Sequence, residues 1–212
     1  MTGQLDRADW ASTEGSMHGK RSDSNGRTCM ARAAVVLARL LGSAEPLSAE
    51  EAEEAVHAMK GVFETLPEGL PEDSAELAEQ WNLQRDLYAN LPDSISLEES
   101  VYKEWTTDSS HPLAGRKGLA WGDPAAHMIA VLNTFGMAPN PEDPRAPDHI
   151  AVLLEFLAFL LENRPLEEAA AFCRDHLDWL TELGTEASER GIQGVFQGLM
   201  LAARQLTNRI IT

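Results

Sequence analysis

Apolar residues recur at helical spacing along most of the chain, and this pattern predicts an all-α protein. Met30, Ala34, Leu37 and Leu41 follow the spacing i, i+4, i+7 and i+11, which places them on one face of a helix. No segment shows the alternation of apolar and polar residues that is typical of a half-buried strand. The sequence therefore predicts one globular all-α domain of about seven to nine helices.

Capping and helix-breaking residues divide this pattern into successive helices. Ser48 and Glu51 have the spacing of a capping box, and Asp123-Pro124 is typical of an N-cap followed by a proline at the first helical position. The helices are predicted at about residues 30–41, 48–66, 73–90, 95–106, 123–135, 150–161, 165–183 and 192–210.

The segment from Ile150 to Leu161 is the most apolar part of the chain, and Glu155 is its one polar residue. A helix at the protein surface would show a polar face, so we expect this helix to lie at the centre of the fold. The segment is too short to cross a membrane, and we expect no membrane span. Because a buried carboxylate is normally paired, Glu155 is expected to pair with an arginine or to face a groove.

The domain organisation follows from composition. Residues 1–26 are polar and without periodicity, which predicts a disordered tail. Residues 27–212 are predicted to form one domain. Its loop 138–147, which holds four prolines, is the candidate hinge between an N-terminal part, 27–137, and a C-terminal part, 148–212. Such a hinge is compatible with either a monomer or a domain-swapped dimer.

The net charge of −17 is the first indication of function. It argues against nucleic acid binding, which requires clustered lysine and arginine, and it favours basic partners. Solubility, or a salt-rich cytoplasm, explains the same charge equally well.

The two cysteines and the N-terminal region favour a cytoplasmic location. Cys29 and Cys173 suggest neither a disulfide framework nor a metal cluster, as is usual in a reducing compartment. Basic residues precede "AAVVLARLLG" as they do in an export signal. Arg39, however, interrupts the apolar part, and the segment continues as an amphipathic helix. We therefore predict a protein that stays in the cytoplasm.

Catalytic patterns are not found in the sequence. None of the six histidines stands in an H-x-x-x-H or H-E-x-x-H pattern, there is no G-x-S-x-G, and "GRKG" at 115–118 lacks the spacing of a phosphate-binding loop. We expect no enzymatic activity, no metal and no other cofactor. A helical metal-dependent hydrolase that uses Asp148, His149 and His176 is the alternative.

The adjacent pair Asp148 and His149 precedes the apolar helix. A carboxylate at a helix start is stabilised by free N–H groups and by the helix dipole, which is sufficient to explain Asp148. The same dipole disfavours a protonated His149, so capping explains the histidine less well. Capping and ligand binding are therefore both open for this pair.

Aromatic residues are concentrated in the middle third of the chain. They are Trp81, Tyr88, Tyr102, Trp105 and Trp121. Core packing explains such residues in most proteins, and an aromatic groove for the apolar part of a peptide is the functional interpretation.

Five blocks, in this order, carry a resemblance to a known family. They are WNLQRDLYANL at 81–91, ESVY at 99–102, WGDPAAHMIAVLNTFGM at 121–137, PDHIAVLLEFLAFL at 147–160 and FCRDHLDWL at 172–180. Together they resemble the TorD/DmsD family of cytoplasmic chaperones for molybdenum-containing redox enzymes. One difference is that Ser96-Leu97-Glu98 precede ESVY where the family pattern has a proline.

The resemblance implies an all-helical protein that binds the twin-arginine signal peptide of an apo molybdoenzyme catalytic subunit. Such proteins delay export of the enzyme until its cofactor is inserted. Binding to the mature part of a respiratory reductase, as in nitrate reductase, is the alternative within the same fold. The family's peptide-binding positions correspond here to Asp148, His149, Trp81, Leu87, Tyr88, Tyr102, Trp105, Gly122 and Pro124.

Such a peptide combines a basic head with an apolar segment. An acidic surface attracts the head, and an aromatic groove buries the apolar segment. In this interpretation Asp148 forms a bidentate pair with an arginine of the peptide.

Overall fold

The computed structural model describes the backbone of residues 11–43, 45–89, 95–138, 140 and 142–212, and within these ranges the side chains of residues 25–85 and of all residues from 95 onwards. The helices in these ranges are α1 Ala11–Gly42, α2 Ala49–Lys60, α3 Ser74–Ala89, α4 Glu99–Tyr102, α5 Asp123–Thr134, α6 Ile150–Asn163, α7 Leu166–His176, α8 Leu180–Glu189 and α9 Val195–Ile211. Among the described residues the one β-type pairing is an antiparallel bridge between Glu98 and His149. The all-α prediction is confirmed.

Helix α6 lies at the centre of the fold, as its sequence predicts. Nine of its fourteen residues are buried, and it packs mainly along α1. The guanidinium of Arg27, in the middle of α1, donates to the carbonyl of Leu161 at 2.7 Å, while Gly42, at the end of α1, lies against Ala151. The two helices therefore run antiparallel, and Arg27 satisfies a carbonyl that the end of α6 leaves unpaired.

Helix α1 begins at Ala11, so its bounds include residues 11–26 of the segment for which the sequence predicts disorder. Once a helix is nucleated in a packed region, each further residue adds one hydrogen bond, and a polar segment can continue it without a core of its own. Residues 1–10 lie outside the described residues, and their disorder stays a prediction.

The segment 165–183 forms two helices instead of the single one predicted. Helix α7 ends at His176 and α8 begins at Leu180. The indole N–H of Trp179 donates to the carbonyl of His176 at 2.8 Å and so satisfies the end of α7. The break depends on this side-chain contact, and no glycine or proline marks it in the sequence.

Two smaller boundaries also differ from the prediction. Helix α4 is one turn long, Glu99–Tyr102, because the chain on either side of it is held by bonds to other elements. The N-cap of α5 is Gly122, not Asp123. The Asp123 carboxylate instead accepts a hydrogen bond from the backbone N–H of Thr107 at 2.8 Å.

The predicted hinge loop is anchored by Arg145. Its guanidinium lies 2.6 Å from the carboxylate of Asp143 and 3.2 Å from that of Glu155 on α6. These contacts give Glu155 the arginine partner that the sequence leads us to expect, and hydrogen bonding from Arg145 lowers the pKa of Asp143 to about 2. That this loop acts as a hinge stays a prediction.

None of the helices in the described part of the chain combines the length and the apolar character that crossing a membrane requires.

Candidate functional site

Helix α4, the ESVY block, is held against the starts of α5 and α6 by a buried network. The carboxylate of Asp148 accepts hydrogen bonds from the backbone N–H of Ser100, at 2.8 Å, and from the Ser100 hydroxyl. The same hydroxyl oxygen accepts from the backbone N–H of Gly122 at 3.2 Å. Three of the sequence blocks therefore meet at Ser100.

Backbone bonds reinforce this junction. The N–H of Glu99 donates to the carbonyl of Asp148 at 3.0 Å, and the N–H of Ile150 donates to the carbonyl of Leu97 at 2.8 Å. A short helix such as α4 cannot be stable by itself, so these bonds and the Asp148 carboxylate fix its position.

Asp148 does not cap α6, and its contact with a peptide stays a prediction. Its side chain is fully buried, and it neither caps α6 nor reaches the surface. Because α4 lies directly opposite, the carboxylate accepts the N–H of Ser100 instead of an N–H of its own helix. In this structure the Asp148 carboxylate is enclosed by protein atoms.

His149 is the residue that caps α6. Its Nδ1 accepts a hydrogen bond from the backbone N–H of Ala151 at 3.2 Å, so the neutral ring carries its proton on Nε2. Burial, assisted by the nearby Arg145 charge, lowers the pKa of His149 to about 4. The imidazole is therefore neutral at pH 7. Its position at a helix start favours the same neutral form, but burial is the main cause of the lowered pKa.

This pKa predicts a pH dependence of stability. The ordinary histidine pKa is 6.5, so the unfolded chain takes up a proton as the pH falls below 6.5 while folded His149 resists until about pH 4. The contribution of neutral His149 to the free energy of unfolding is thus fully present above pH 6.5 and is lost as the pH falls towards 4. Between pH 7 and pH 5 the wild type should lose roughly 2 kcal/mol more than His149→Asn, which keeps a capping side chain. Urea unfolding at both pH values measures this difference, and parallel losses would contradict the assignment.

A cavity opens in front of the ESVY junction. Its volume is about 860 Å³, and its walls come from α4, α5, α7, α8 and the loop between α4 and α5. Among the described lining residues, Lys103 and Lys117 are the basic side chains, together with two histidines. Its acidic lining residues are Glu99, Glu104, Asp123, Asp175, Asp178 and Glu182. This excess of carboxylates makes the cavity attractive to a cation.

Two imidazoles and two aromatic side chains form part of the cavity wall. His176 Nδ1 lies 2.8 Å from Glu99 Oε2, and the His176 ring stacks on that of His127 with centroids 4.9 Å apart. Tyr102 stacks on Trp179 at the same separation. Burial and a hydrogen bond to the Glu186 carboxylate raise the pKa of the Tyr102 phenol, which therefore stays protonated.

A second, mainly apolar pocket of about 350 Å³ lies further along α5 and α6. Phe156 and Phe159 line it together with the hinge loop. Ring contacts connect the two pockets. The ring centroid of Phe172 lies 4.9 Å from that of His176, which lines the acidic cavity, and 5.1 Å from that of Phe156, which lines the apolar pocket. The acidic cavity and the apolar pocket are therefore neighbours, separated by the rings of His176, Phe172 and Phe156.

The structure brings together only some of the residues predicted to bind a peptide. Tyr102 and Pro124 line the acidic cavity, and Gly122 and Asp148 lie at the junction behind it. His149 forms the bridge to Glu98 next to that junction.

The remaining predicted residues lie elsewhere or are not described. Trp81 is a core residue, 1% exposed, whose indole N–H donates to the carbonyl of Glu45 at 2.9 Å. Trp105 is half-buried beside His111. The side chains of Leu87 and Tyr88 lie outside the described residues.

Several cavity residues were missed by the sequence prediction. Glu99 and Lys103 are four positions apart, and His176 and Trp179 are three apart. Residues at these spacings lie on the same side of a helix. These spacings were available in the ESVY and FCRDHLDWL regions. Trp121, one of the aromatic residues considered for a groove, does not line this cavity; it is 61% exposed and is the one described non-glycine residue with a positive φ, 61°.

Nothing in this geometry resembles a metal centre. Across the described ranges, no three His, Cys, Asp or Glu side chains are grouped as metal ligands. Asp148, His149 and His176, the residues of the hydrolase alternative, are each bonded to a different protein group.

The fold and the cavity define the class: an all-helical protein with an acidic, partly aromatic binding site. The model of the family described as "Nitrate reductase delta subunit" matches residues 45–186, which is 142 of the 212 residues. The chain belongs to this family, which comprises TorD-like chaperones for the maturation of molybdenum-containing redox enzymes. No curated protein and no solved structure gives a significant match to the chain. The matched region runs from α2 to α8 and includes every element of the acidic cavity.

Proposed function

We propose that this chaperone binds the twin-arginine signal peptide of a molybdenum-containing oxidoreductase in the acidic cavity. It acts in the cytoplasm, keeps the apo catalytic subunit from export until its cofactor is inserted, and catalyses no reaction of its own. The observation that carries the proposal is a cavity of about 860 Å³ lined by six carboxylates and two lysines.

The chemistry of the cavity suits a guanidinium group. Among the described residues, the carboxylates of Glu104 and Asp175 form no hydrogen bond or ion pair, so both can accept one. A carboxylate binds a guanidinium through two parallel N–H···O bonds, which an ammonium cannot form. Tyr102 and Trp179, stacked on each other, form an aromatic wall beside these carboxylates.

The apolar pocket provides a site for the segment that follows the arginines. His127, in the acidic cavity, and Leu132, in the apolar pocket, are five residues apart on α5. This separation is about 8 Å along the helix axis, a distance that two or three extended peptide residues cover. One short peptide can therefore reach both pockets.

Calorimetry with a synthetic twin-arginine peptide tests the proposal. The double variant Glu104→Gln/Asp175→Asn should weaken binding by about tenfold or more, because it removes two acceptors of charge-assisted hydrogen bonds. Glu53→Gln/Glu54→Gln on α2 removes the same charge from exposed positions outside the cavity and should change affinity by about twofold or less.

A peptide with two lysines in place of the arginines should bind more weakly than the original. Absence of heat with the twin-arginine peptide would reject signal-peptide binding. Equal losses in the two double variants would place the site outside this cavity.

Binding to the mature catalytic subunit is the second candidate, and the nitrate reductase family match favours it. In that case a client that lacks its signal peptide should still be retained by the immobilised chaperone. Retention of the full-length client alone supports the first candidate. Retention of both forms supports the second.

A further inference from the structure

Lys103 extends from the end of α4 into the acidic cavity, where three acceptors surround it. Its Nζ lies 2.9 Å from Glu99 Oε1, 2.8 Å from Asp178 Oδ1 and 2.5 Å from the carbonyl oxygen of Asp175. An ammonium has three N–H donors, and here each has an acceptor from the protein. Burial lowers the pKa of Lys103, but hydrogen bonds to Asp178 and Glu99 outweigh this, so its pKa lies above the ordinary value.

We propose that these three acceptors form a subsite for the guanidinium of an arginine side chain, and that Lys103 fills it when no ligand is bound. The inference rests on the proposed function and adds which atoms receive the arginine and what the arginine displaces. Lys103 thereby acts as an internal competitor that tunes the affinity of the cavity.

His176 supplies a second, independent indication of a ligand. It lines the cavity, is 3% exposed, and its Nδ1 is bonded to Glu99. Its Nε2 is buried and has no hydrogen-bond partner among the described residues. An unpaired buried ring nitrogen is costly, and an N–H donor of a ligand that enters the cavity beside the ring would satisfy it.

The exchange of Lys103 for an arginine is favourable for two physical reasons. A guanidinium presents its donors in a rigid plane. It is also less strongly hydrated than an ammonium, so it loses less hydration free energy on entering a half-closed site. The Lys103 side chain is 26% exposed, so it can leave the subsite along its open side and regain hydration.

Titration with N-acetylargininamide, followed by NMR at the indole N–H of Trp179, tests the subsite. Lys103→Met should bind this compound about tenfold more tightly than the wild type, because the competitor is gone. The matched control is Lys117→Met, since Lys117 also lines the cavity but has only a 3.4 Å contact with Glu182 and is 53% exposed. Removal of this charge should tighten binding by about threefold or less.

One further variant keeps the inference falsifiable if Lys103→Met does not fold, and a double variant adds a check if it does. Lys103→Arg places a guanidinium in the subsite permanently and should bind the compound no more tightly than the wild type. Glu99→Gln in the Lys103→Met background should cancel the gain.

The inference is overturned if Lys103→Met binds no better than Lys117→Met, if Lys103→Arg binds more tightly than the wild type, or if N-acetyllysinamide binds as well as N-acetylargininamide. Failure of the proposed function would appear differently, as absence of twin-arginine peptide binding by the wild type.

Discussion

Asp148→Ala is expected to lower the free energy of unfolding by about 2–4 kcal/mol. The substitution leaves the N–H and hydroxyl of Ser100 without their acceptor in a place where neither is exposed. It also leaves a cavity where the carboxylate was. Urea denaturation measures the loss, and the exposed residue Glu53 provides the control, because Glu53→Ala should change stability by less than about 0.5 kcal/mol.

A double-mutant cycle separates the Asp148–Ser100 contact from general damage. Ser100→Ala removes the other partner, and the two substitutions together should cost less than the sum of their separate effects, by about 1–3 kcal/mol. Strict additivity would show that the buried hydrogen bonds do not hold α4. Loss of peptide binding in Asp148→Ala would then have to come from direct contact with the ligand.

Gly122→Ala should destabilise the protein by about 3 kcal/mol or more. A Cβ atom at this position would overlap the carbonyl oxygen of Trp105 and would lie 3.0 Å from its Cα. Both are backbone atoms, and the Trp105 carbonyl also accepts the N–H of Asp123 at 2.6 Å, so the clash cannot be relieved by a side-chain rotation. The expected result is a large fall in the thermal midpoint and displacement of the start of α5 from Ser100.

Gly184→Ala is the matched control for this prediction. Gly184 lies inside α8, and a Cβ there would meet no atom within 4 Å. Because alanine favours a helix interior over glycine, this variant should be more stable than the wild type by about 0.5–1 kcal/mol. Comparable destabilisation by the two substitutions would contradict the close approach of Gly122 to Trp105.

These two predictions change how mutations of the family's Asp-His pair should be interpreted. Asp148 and Gly122 support α4 from behind, and α4 carries Glu99 and Tyr102 into the cavity. A variant at either supporting position alters the ligand site by moving these side chains. The Glu104, Asp175 and Lys103 variants test the binding surface itself.

Much of the fold could be predicted from the sequence because helical periodicity is a local property. The apolar segment Ile150–Leu161 had to be surrounded by other helices, and α6 is. The capping box of Ser48 and Glu51 forms as predicted, since each partner needs only a residue three positions away. The helix break near Leu177 could not be predicted, because it depends on the Trp179 contact and not on a breaking residue.

The all-helical class, the family and the acidic character that favours a basic partner follow from residue types and from spacings within short segments. The position of each block in the fold follows from contacts between distant segments. Ser100 and Asp148 are 48 residues apart, and Glu99 and His176 are 77 apart. No local spacing records such contacts, because they arise when whole helices pack. That packing buries Asp148 and leaves the carboxylates of Asp175 on α7 and of Glu104 in the loop after α4 exposed at the cavity.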